Sequence, residues 1–267
     1  MGSFLLRPAC EGDIPALVEI WAASFGDSRE LAAALVRDRG LFRHGVTAEA
    51  GGQPVGCMFA FDGLGLGGQS LSYLYALCVH PEHRGWGIGA AVTKYAAKEA
   101  FRRGAGAVLL RPADSGLAAW YETLGFTPLC GGENVPLEAE DPGPVPVREL
   151  SAGEYLRRRR SALGVTEELL LAQETLFRFG GGAFLEYDGR CLCAESDGGT
   201  VLIREAEMTG RELARAAGAV LRRFGARQAL LRRRADAPEG EDLLSVMTRD
   251  GTPFPGGEEL FFPFTLE

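Results

Sequence analysis

A glycine-rich turn between an apolar strand and a helix constrains this chain more than any other feature of its sequence. The turn is Arg84-Gly85-Trp86-Gly87-Ile88-Gly89, and it follows the nearly continuous apolar run of residues 71–79. Such a run predicts a strand that is buried on both faces. Unpaired backbone N–H groups and the positive end of the helix dipole face this kind of turn, and glycines let an anion approach the backbone closely. The sequence therefore predicts a cradle for a diphosphate.

The spacing of the glycines excludes two common nucleotide sites. A dinucleotide fold has Gly-x-Gly-x-x-Gly and an acidic residue at the end of the next strand, whereas this turn reads Arg-Gly-x-Gly-x-Gly and lacks that acid. No Gly-Lys-Ser/Thr follows, so the turn is not that of a P-loop nucleotide hydrolase. Because many glycine-rich turns bind nothing, the neighbouring sequence decides what this one binds.

The first half of the chain predicts an α/β domain. Residues 4–6 form a strand, Asp13 caps a helix, and Asp27-Ser28 begins a second helix. The remaining predicted elements are a hairpin of residues 46–50 and 54–61, the buried strand, the helix after the glycine turn, a strand at 107–110, a helix at 116–124 and a strand at 126–130. Alternation of this kind predicts a central mixed sheet flanked by helices.

The second half of the chain repeats this order of elements. The matching segments are residues 145–148, a helix at 154–163, a hairpin at 183–190, a strand at 201–208, a helix at 211–224 and a strand at 229–232. In this copy the loop between strand and helix has shortened to residues 208–210 and has lost the glycine run. We therefore expect two tandem units, 1–135 and 148–267, joined by a proline- and glycine-rich linker at 136–147, with one cofactor site in the first unit.

Two segments of the first half resemble the signatures of the GCN5-related N-acetyltransferase (GNAT) family. Residues 77–90 resemble its motif A, Arg/Gln-x-x-Gly-x-Gly/Ala, which Arg84, Gly87 and Gly89 fill. Residues 115–126 resemble its second signature, Asn-x-x-Ala-x-x-Tyr-x-x-x-Gly-Phe. The resemblance implies two GNAT-like units in tandem, of which the second is a degenerate copy.

The resemblance also implies a role for each motif residue. Backbone groups of Leu77, Cys78 and Val79 bind the pantetheine arm of acetyl-CoA, and the N–H of Val79 faces the thioester oxygen. Tyr121 protonates the leaving thiolate as general acid. The residues that would hold the diphosphate are Arg84, Gly85, Trp86, Gly87, Ile88, Gly89 and Ala90.

The chain departs from the family's pattern at two places. Ser115 stands where the family has asparagine as a partner of the cofactor arm, and the buried strand carries Tyr73 and Tyr75 but no glutamate as general base. A primary amine is mostly protonated at neutral pH, so its proton needs a route, which can be ordered water, a tyrosine or a carboxylate from elsewhere. The expected acceptor pocket contains Phe25, Tyr73, Tyr75 and the C-terminal Glu267.

The composition is that of a globular protein with an acidic balance. Of the 267 residues, 46% are hydrophobic and 24% are charged. The net charge of −8 argues against nucleic acid as a partner and favours a cationic, amine-bearing substrate. No apolar stretch has the length of about 18 residues that a membrane span needs, and the N-terminal residues do not resemble a signal peptide. We therefore expect a cytoplasmic location and no membrane partner.

The six cysteines predict free thiols and no metal site. Most lie in apolar, strand-like runs, and no two pairs have the spacing of a zinc site. Free thiols are usual in a reducing cytoplasm. The residues are Cys10, Cys57, Cys78, Cys130, Cys191 and Cys193.

These features together predict an acetyl-CoA-dependent N-acetyltransferase. The acetyl group would pass to a primary amine of a small molecule or a peptide by direct attack. The alternative is a module that binds or senses acyl-CoA without catalysis, and the missing base on the buried strand favours it.

Overall fold

The computed structural model describes residues 3–235, 243–255 and 262–264. It confirms the α/β class and divides the chain into two compact units. The first unit comprises Met1–Pro112, Gly116–Pro128 and Ser245–Pro255, and the second comprises Ala113–Ser115, Leu129–Leu244 and Gly256–Glu267.

The first unit contains one mixed sheet and four helices. Its strands are β1 (Leu5–Pro8), β2 (Gly45–Ala50), β3 (Gln53–Leu66), β4 (Gln69–Val79), β5 (Ala107–Leu110) and β12 (Leu244–Thr248), and its α-helices are α1 (Ile14–Phe25), α2 (Arg29–Ala33), α3 (Ile88–Arg102) and α4 (Ser115–Glu122). The strands follow one another in that order across the sheet. Only the pairing of β4 with β5 is parallel; the other neighbours are antiparallel. The predicted hairpin and the predicted strand at 107–110 are therefore confirmed.

Alternation along β3 separates the two faces of this sheet. Met58 and Ala60 join the core beneath α3, which also holds Leu74 of β4. Phe59 points the other way and contacts Trp21 of α1, with ring centroids 5.8 Å apart. The α3 face and the α1 face of the sheet are thus chemically distinct, one mainly aliphatic and the other aromatic.

The described part of the second unit repeats the succession from β1 to β5, which is a strand, two α-helices, three strands, an α-helix and a strand. Its strands are β6 (Thr127–Leu137), β7 (Val147–Leu150), β8 (Gly182–Tyr187), β9 (Arg190–Asp197), β10 (Thr200–Ala206) and β11 (Gln228–Ala235), and its helices are α5 (Ala152–Arg158), α6 (Glu167–Gly180) and α7 (Gly210–Phe224). The order across this sheet is β6, β11, β10, β9, β8, β7, and only β10 and β11 are parallel. α7 packs on the sheet through an apolar core that includes Leu213, Val220, Leu185 and Val201.

The compact units do not follow the expected boundaries at 135 and 148. The expected linker begins inside β6, where Leu137 pairs with Ala229 of β11. Further along, the backbone N–H of Glu140 donates to the carbonyl of Ala214 in α7 at 2.9 Å. Proline and glycine do not prevent this order, because the partners that hold the segment lie far away in the sequence.

Three further differences concern helices. The helix expected at 154–163 spans Ala152–Arg158, and α6 was not predicted. α6 has the signals of a helix, since the Thr166 hydroxyl accepts from the N–H of Leu169 and apolar residues recur at helical spacing. At the start of α1, Asp13 makes no cap hydrogen bond to that helix; its carboxylate accepts instead from the N–H of Cys10.

None of the helices in the described part of the chain is long and apolar enough to cross a membrane.

Candidate functional site

Strand β4 is irregular just before the glycine turn. Ala76 has a φ of 53°, which is unusual for a residue with a side chain. The pairing of β4 with β3 shifts register at this point, between Cys57 and Phe59. Such a bulge bends the strand and turns its backbone groups.

β4 and β5 stop pairing after their third parallel residue pair. The last pair is Tyr73 with Leu109, although β4 continues to Val79. On the other side, the N–H of His80 donates to the carbonyl of Val55 at 2.9 Å, so Val55 and His80 form a hydrogen-bonded pair of the antiparallel ladder. Hydrogen-bonded and non-hydrogen-bonded pairs alternate, so the N–H and carbonyl of Val79 point away from β3. They face the gap between β4 and β5.

The turn after β4 leads into a helix without a side-chain cap. A short 3₁₀ turn, Pro81–His83, is followed by Gly85 and by Gly87, with φ values of 80° and 79°. Gly87 precedes α3, and no side chain of the described residues caps the helix. The N–H groups of the first turn of α3, which holds Ile88, Gly89 and Ala90, therefore remain open to an anion.

Arg84 and Trp86 of the turn each contact another residue of the same region. The exposed Arg84 donates from Nε to the carbonyl of Val79 at 3.2 Å, which ties the turn to the end of β4. Trp86 is 39% exposed and lies edge-on to His83, with ring centroids 5.1 Å apart.

Close packing surrounds the first turn of α3. A β-carbon on Gly56 would lie 2.8 Å from Ile88, and one on Gly89 would lie 3.6 Å from the Trp120 ring and 3.7 Å from Leu77. Neither Gly56 nor Trp120 was predicted to belong to the site. Their signals were weak: Gly56 is a single glycine in a strand, and Trp120 occupies a variable position of the second signature.

Tyr121 is buried beside this turn. Its ring lies edge-on to Trp120 and to Phe126, with centroids 4.8 Å and 5.7 Å apart. Burial, and to a smaller extent the nearby Tyr73 and Cys78, raise the pKa of the Tyr121 hydroxyl well above its usual value. The hydroxyl is thus protonated throughout the physiological pH range.

The α1 face of the sheet carries the aromatic residues expected in an acceptor pocket. Tyr75 stacks on Tyr73, with centroids 6.4 Å apart, and contacts the edge of Trp21 at 5.6 Å. Both tyrosines are buried, whereas Phe25 is 51% exposed beside Trp21. Of the residues expected in the acceptor pocket, the two tyrosines are therefore buried and Phe25 is exposed.

The structure also describes Ser115 and Cys78 of the expected site. Ser115 is an exposed residue at the start of α4, and Glu267 lies outside the described residues. The Cys78 thiol is fully buried and donates to the carbonyl of Ala76 at 3.4 Å. No three histidine, cysteine, aspartate or glutamate side chains of the described residues lie together as metal ligands would.

Part of the chain matches a known protein family. The sequence model of the acetyltransferase (GNAT) family matches residues 14–126. This segment, less than half of the chain, is therefore similar in sequence to GNAT acetyltransferases. The match contains β4, the glycine turn, α3 and Tyr121, so the GNAT signatures lie inside the matched segment. No curated protein matches the sequence.

Solved structures resemble the whole chain in fold. A GCN5-related N-acetyltransferase from Kribbella flavida aligns over 93% of this chain and 72% of its own length, with 18% identity and a TM-score of 0.70. One from Anabaena variabilis aligns over 91% and 72%, with 13% identity and a TM-score of 0.67. Eis1 from Mycobacterium abscessus aligns over 92% and 73%, with 13% identity and a TM-score of 0.63. At these identities the likeness shows the fold alone.

Proposed function

We propose that the first unit transfers an acetyl group from acetyl-CoA to a primary amine by direct attack on the thioester. One observation carries the proposal. β4 stops pairing with β5 beyond Tyr73, and the glycine turn then joins β4 to the uncapped N-terminus of α3. The extended pantetheine arm of acetyl-CoA can bond to the exposed strand edge through its amides, while the diphosphate of the coenzyme lies at the N-terminus of the helix. Few other ligands combine a long polar arm with a diphosphate in this way.

The turn would hold the diphosphate through its backbone. Gly85 and Gly87 adopt left-handed conformations that point successive N–H groups toward the anion. Arg84 adds a positive charge at the same turn.

The end of β4 would hold the reacting part of acetyl-CoA. Backbone groups of Leu77 and Val79 bond to the pantetheine amides, and the N–H of Val79 donates to the thioester oxygen as negative charge develops on it. One such donor is worth about 3 kcal/mol in a transition state.

Tyr121 would be the general acid of this transfer. Its raised pKa keeps the proton on the hydroxyl until the thiolate leaves. The thiolate then takes this proton in the same buried environment, where its own charge is also poorly solvated. General acids of this kind contribute about 10²–10⁴ to the rate.

Direct attack is favoured over an acyl-enzyme intermediate. The cysteine on the end of β4 is Cys78, whose thiol is buried and whose pKa is raised chiefly by that burial. A thiol of this kind is a poor nucleophile, because the thiolate is the reactive form.

The acceptor would be the amine of a small molecule or a peptide. The net charge of −8 favours a cationic substrate by steering. Phe25, which is 51% exposed, offers apolar contact on the α1 face, and this face lies opposite the core that contains α3.

The second unit would be a copy of the same fold without a cofactor site. It has the same succession of elements but a short turn before α7. We therefore propose one acetyl-CoA site per chain.

A module that binds acyl-CoA without catalysis is the second candidate. Its support is that β4 carries no carboxylate to accept the proton of the amine.

The test of the proposed function is Tyr121→Phe, with Tyr95→Phe on α3 as the matched control. Thiol release from acetyl-CoA is measured with a panel of primary amines, and acetyl-CoA binding is measured by calorimetry. We expect Tyr121→Phe to lower kcat by about 10²–10⁴ with little change in the Kd for acetyl-CoA, and Tyr95→Phe to behave as wild type.

Each other result has a clear meaning. Unchanged turnover in Tyr121→Phe removes the general acid assignment. Binding of acetyl-CoA without thiol release from any amine supports the sensing module. Absence of binding at millimolar acetyl-CoA contradicts both candidates.

A further inference from the structure

A carboxylate of the connection between α1 and α2 faces the aromatic side of β4. Oδ2 of Asp27 accepts a hydrogen bond of 2.8 Å from the indole N–H of Trp21. The Trp21 ring in turn lies edge-on to Tyr75 of β4 at 5.6 Å. Trp21 is almost fully buried, so this hydrogen bond holds Asp27 at a defined place on the α1 face.

The carboxylate of Asp27 retains bonding capacity. Within the described residues, the Trp21 indole is its only hydrogen-bond donor, and no cationic side chain pairs with it. The neighbouring Glu19 differs, because Arg29 binds both of its oxygens at 2.7 Å and 2.8 Å. Oδ1 of Asp27 is therefore available to a ligand.

Open space adjoins this carboxylate. A surface groove of about 450 Å³ lies where α1 ends and α2 begins. Its lining residues are Glu19, Ala22, Ala23, Asp27, Ser28, Arg29 and Glu30. A small amine fits in such a volume beside Asp27.

Asp27 also lies within electrostatic reach of the end of β4. The pKa of the Cys78 thiol is raised chiefly by burial and by Cys57, and the negative charge of Asp27 raises it further. Cys78 directly precedes Val79, whose N–H faces the gap between β4 and β5.

Tyr121 and Asp27 lie on different sides of the sheet. Tyr121 belongs to the core beneath α3, so the leaving sulfur would be protonated from that side. An amine that attacks from the opposite side would meet the α1 face, which carries Tyr75 and, beside Trp21, Asp27.

We propose that Asp27 is the general base that takes the proton of the acceptor amine. This inference rests on the proposed acetyl transfer and supplies the carboxylate that β4 lacks.

The protons and electrons of the step balance as follows. The ammonium group of the acceptor gives one proton to Asp27, which passes it to solvent. The nitrogen lone pair forms the C–N bond, the carbonyl π electrons move to the oxygen, and the N–H of Val79 stabilises that oxygen. When the carbonyl forms again, the C–S bond breaks and the sulfur takes the proton of Tyr121. A second proton from the nitrogen returns to Tyr121 through water, so one proton is released in each turnover.

The experiment compares Asp27→Asn with Asp38→Asn, an exposed aspartate that Arg37 binds on the surface. Asparagine still accepts the Trp21 hydrogen bond, so the fold is expected to survive. The probes are n-butylamine, which is protonated at neutral pH, and methoxyamine, which is not. Thiol release gives kcat and KM for each amine, and calorimetry gives the Kd for acetyl-CoA.

We expect Asp27→Asn to lower kcat by about 10²–10³ with n-butylamine and by a smaller factor with methoxyamine. The Kd for acetyl-CoA and the activity of Asp38→Asn are expected to equal those of wild type. Asp27→Glu, which keeps a carboxylate, is expected to recover part of the lost kcat.

Three results would overturn the inference. If Asp27→Asn changes kcat less than twofold with both amines, Asp27 is not the base. If the loss is confined to KM for n-butylamine, Asp27 binds the ammonium ion without accepting a proton. If wild type releases thiol with neither amine although both variants fold, the proposed transfer to small amines fails together with its base.

Discussion

The turns that follow β4 and β10 differ although they occupy the same place in their units. Residues 80–87 connect β4 to α3 and include two glycines in left-handed conformations. Residues 207–209 connect β10 to α7, and Met208 of this short turn is buried in the core. The short turn leaves less backbone to wrap an anion.

Side chains reinforce this difference. Oε2 of Glu207 accepts from the N–H of Cys191 at 3.0 Å, and its other oxygen accepts from the N–H of Arg160. Glu212 adds a second carboxylate in the first turn of α7. Negative charges near a helix N-terminus compete with a diphosphate for the same field. The two turns therefore differ in length and in charge, although the strands and helices around them follow the same order.

The largest expected effect tests whether the first unit is self-sufficient. A chain of residues 1–135, the expected first domain, lacks β12, whose residues 245–248 pair with β5. β5 would then lose an antiparallel partner and expose a buried edge. We expect this chain to lose cooperative thermal unfolding, measured by circular dichroism, and to lose acetyl-CoA binding.

The matched control is a chain that ends at residue 255. It keeps β12 and lacks only residues 256–267. Cooperative unfolding of residues 1–135 would show that the first half folds without β12 and would restore the expected boundary.

A smaller effect on stability is expected where the segment around Glu140 packs against α7. A β-carbon on Gly218 would lie 2.0 Å from the backbone oxygen of Glu140. Because a backbone cannot move as a side chain can, we expect Gly218→Ala to lower the free energy of unfolding by about 3 kcal/mol. Urea unfolding measures this, with Gly180→Ala as control, since Gly180 ends α6 and has open space around it. Equal stability of the two variants would mean that residues 138–145 do not lie against α7 in solution.

In each unit an ion pair joins the first strand to the residues that begin the first helix. The carboxylate of this pair is buried in the first unit and exposed in the second. Arg7 binds Asp13 at 2.6 Å, and the Asp13 side chain is 7% exposed. Arg148 binds Glu154 at 3.1 Å, and those side chains are 44% and 36% exposed. The hydrogen bond from Arg7 lowers the pKa of Asp13 from 3.8 to about 2. This shift corresponds to about 2 kcal/mol of stability.

The sign of the pH dependence follows from this pKa. The folded value lies below the unfolded one, so the contribution is present above pH 3.8 and is lost as the pH falls through about 2. We expect Asp13→Asn to lower stability by about 2 kcal/mol at pH 7, with a difference from wild type that shrinks between pH 4 and pH 2. Glu154→Gln is expected to cost less in the same urea titrations, because water screens the exposed pair. A larger cost for Glu154→Gln would reverse the comparison.

The smallest expected effect comes from a single glycine of the glycine turn. Gly87 and Gly210 both have left-handed φ values, 79° and 55°, and neither has a neighbour that a methyl group would meet. Alanine at either position strains the backbone by about 1 kcal/mol. Calorimetry is expected to show a severalfold weaker Kd for acetyl-CoA in Gly87→Ala and no change in Gly210→Ala. A weaker Kd in both variants would imply a second site in the second unit.

The sequence by itself determined the features whose signals are local. The apolar run of β4, the glycine turn, the hairpin of β2 and β3 and the strand at 107–110 all came from neighbouring residues, and the GNAT match over residues 14–126 agrees with them. Periodicity and turn chemistry act over a few residues, so they can be recognised without the fold.

Only the tertiary structure decided which distant segments meet. It brought residues 245–248 to β5, paired residues 131–137 with β11, and set Tyr75 of β4 against Trp21 of α1. Each of these contacts joins segments that are far apart in sequence. The strength of each contact depends on how deeply it is buried and on which groups pair in it. Composition signalled a linker at 136–147, but hydrogen bonds to β11 and α7 order that segment, because a strand edge and a helix surface supply what the local sequence lacks.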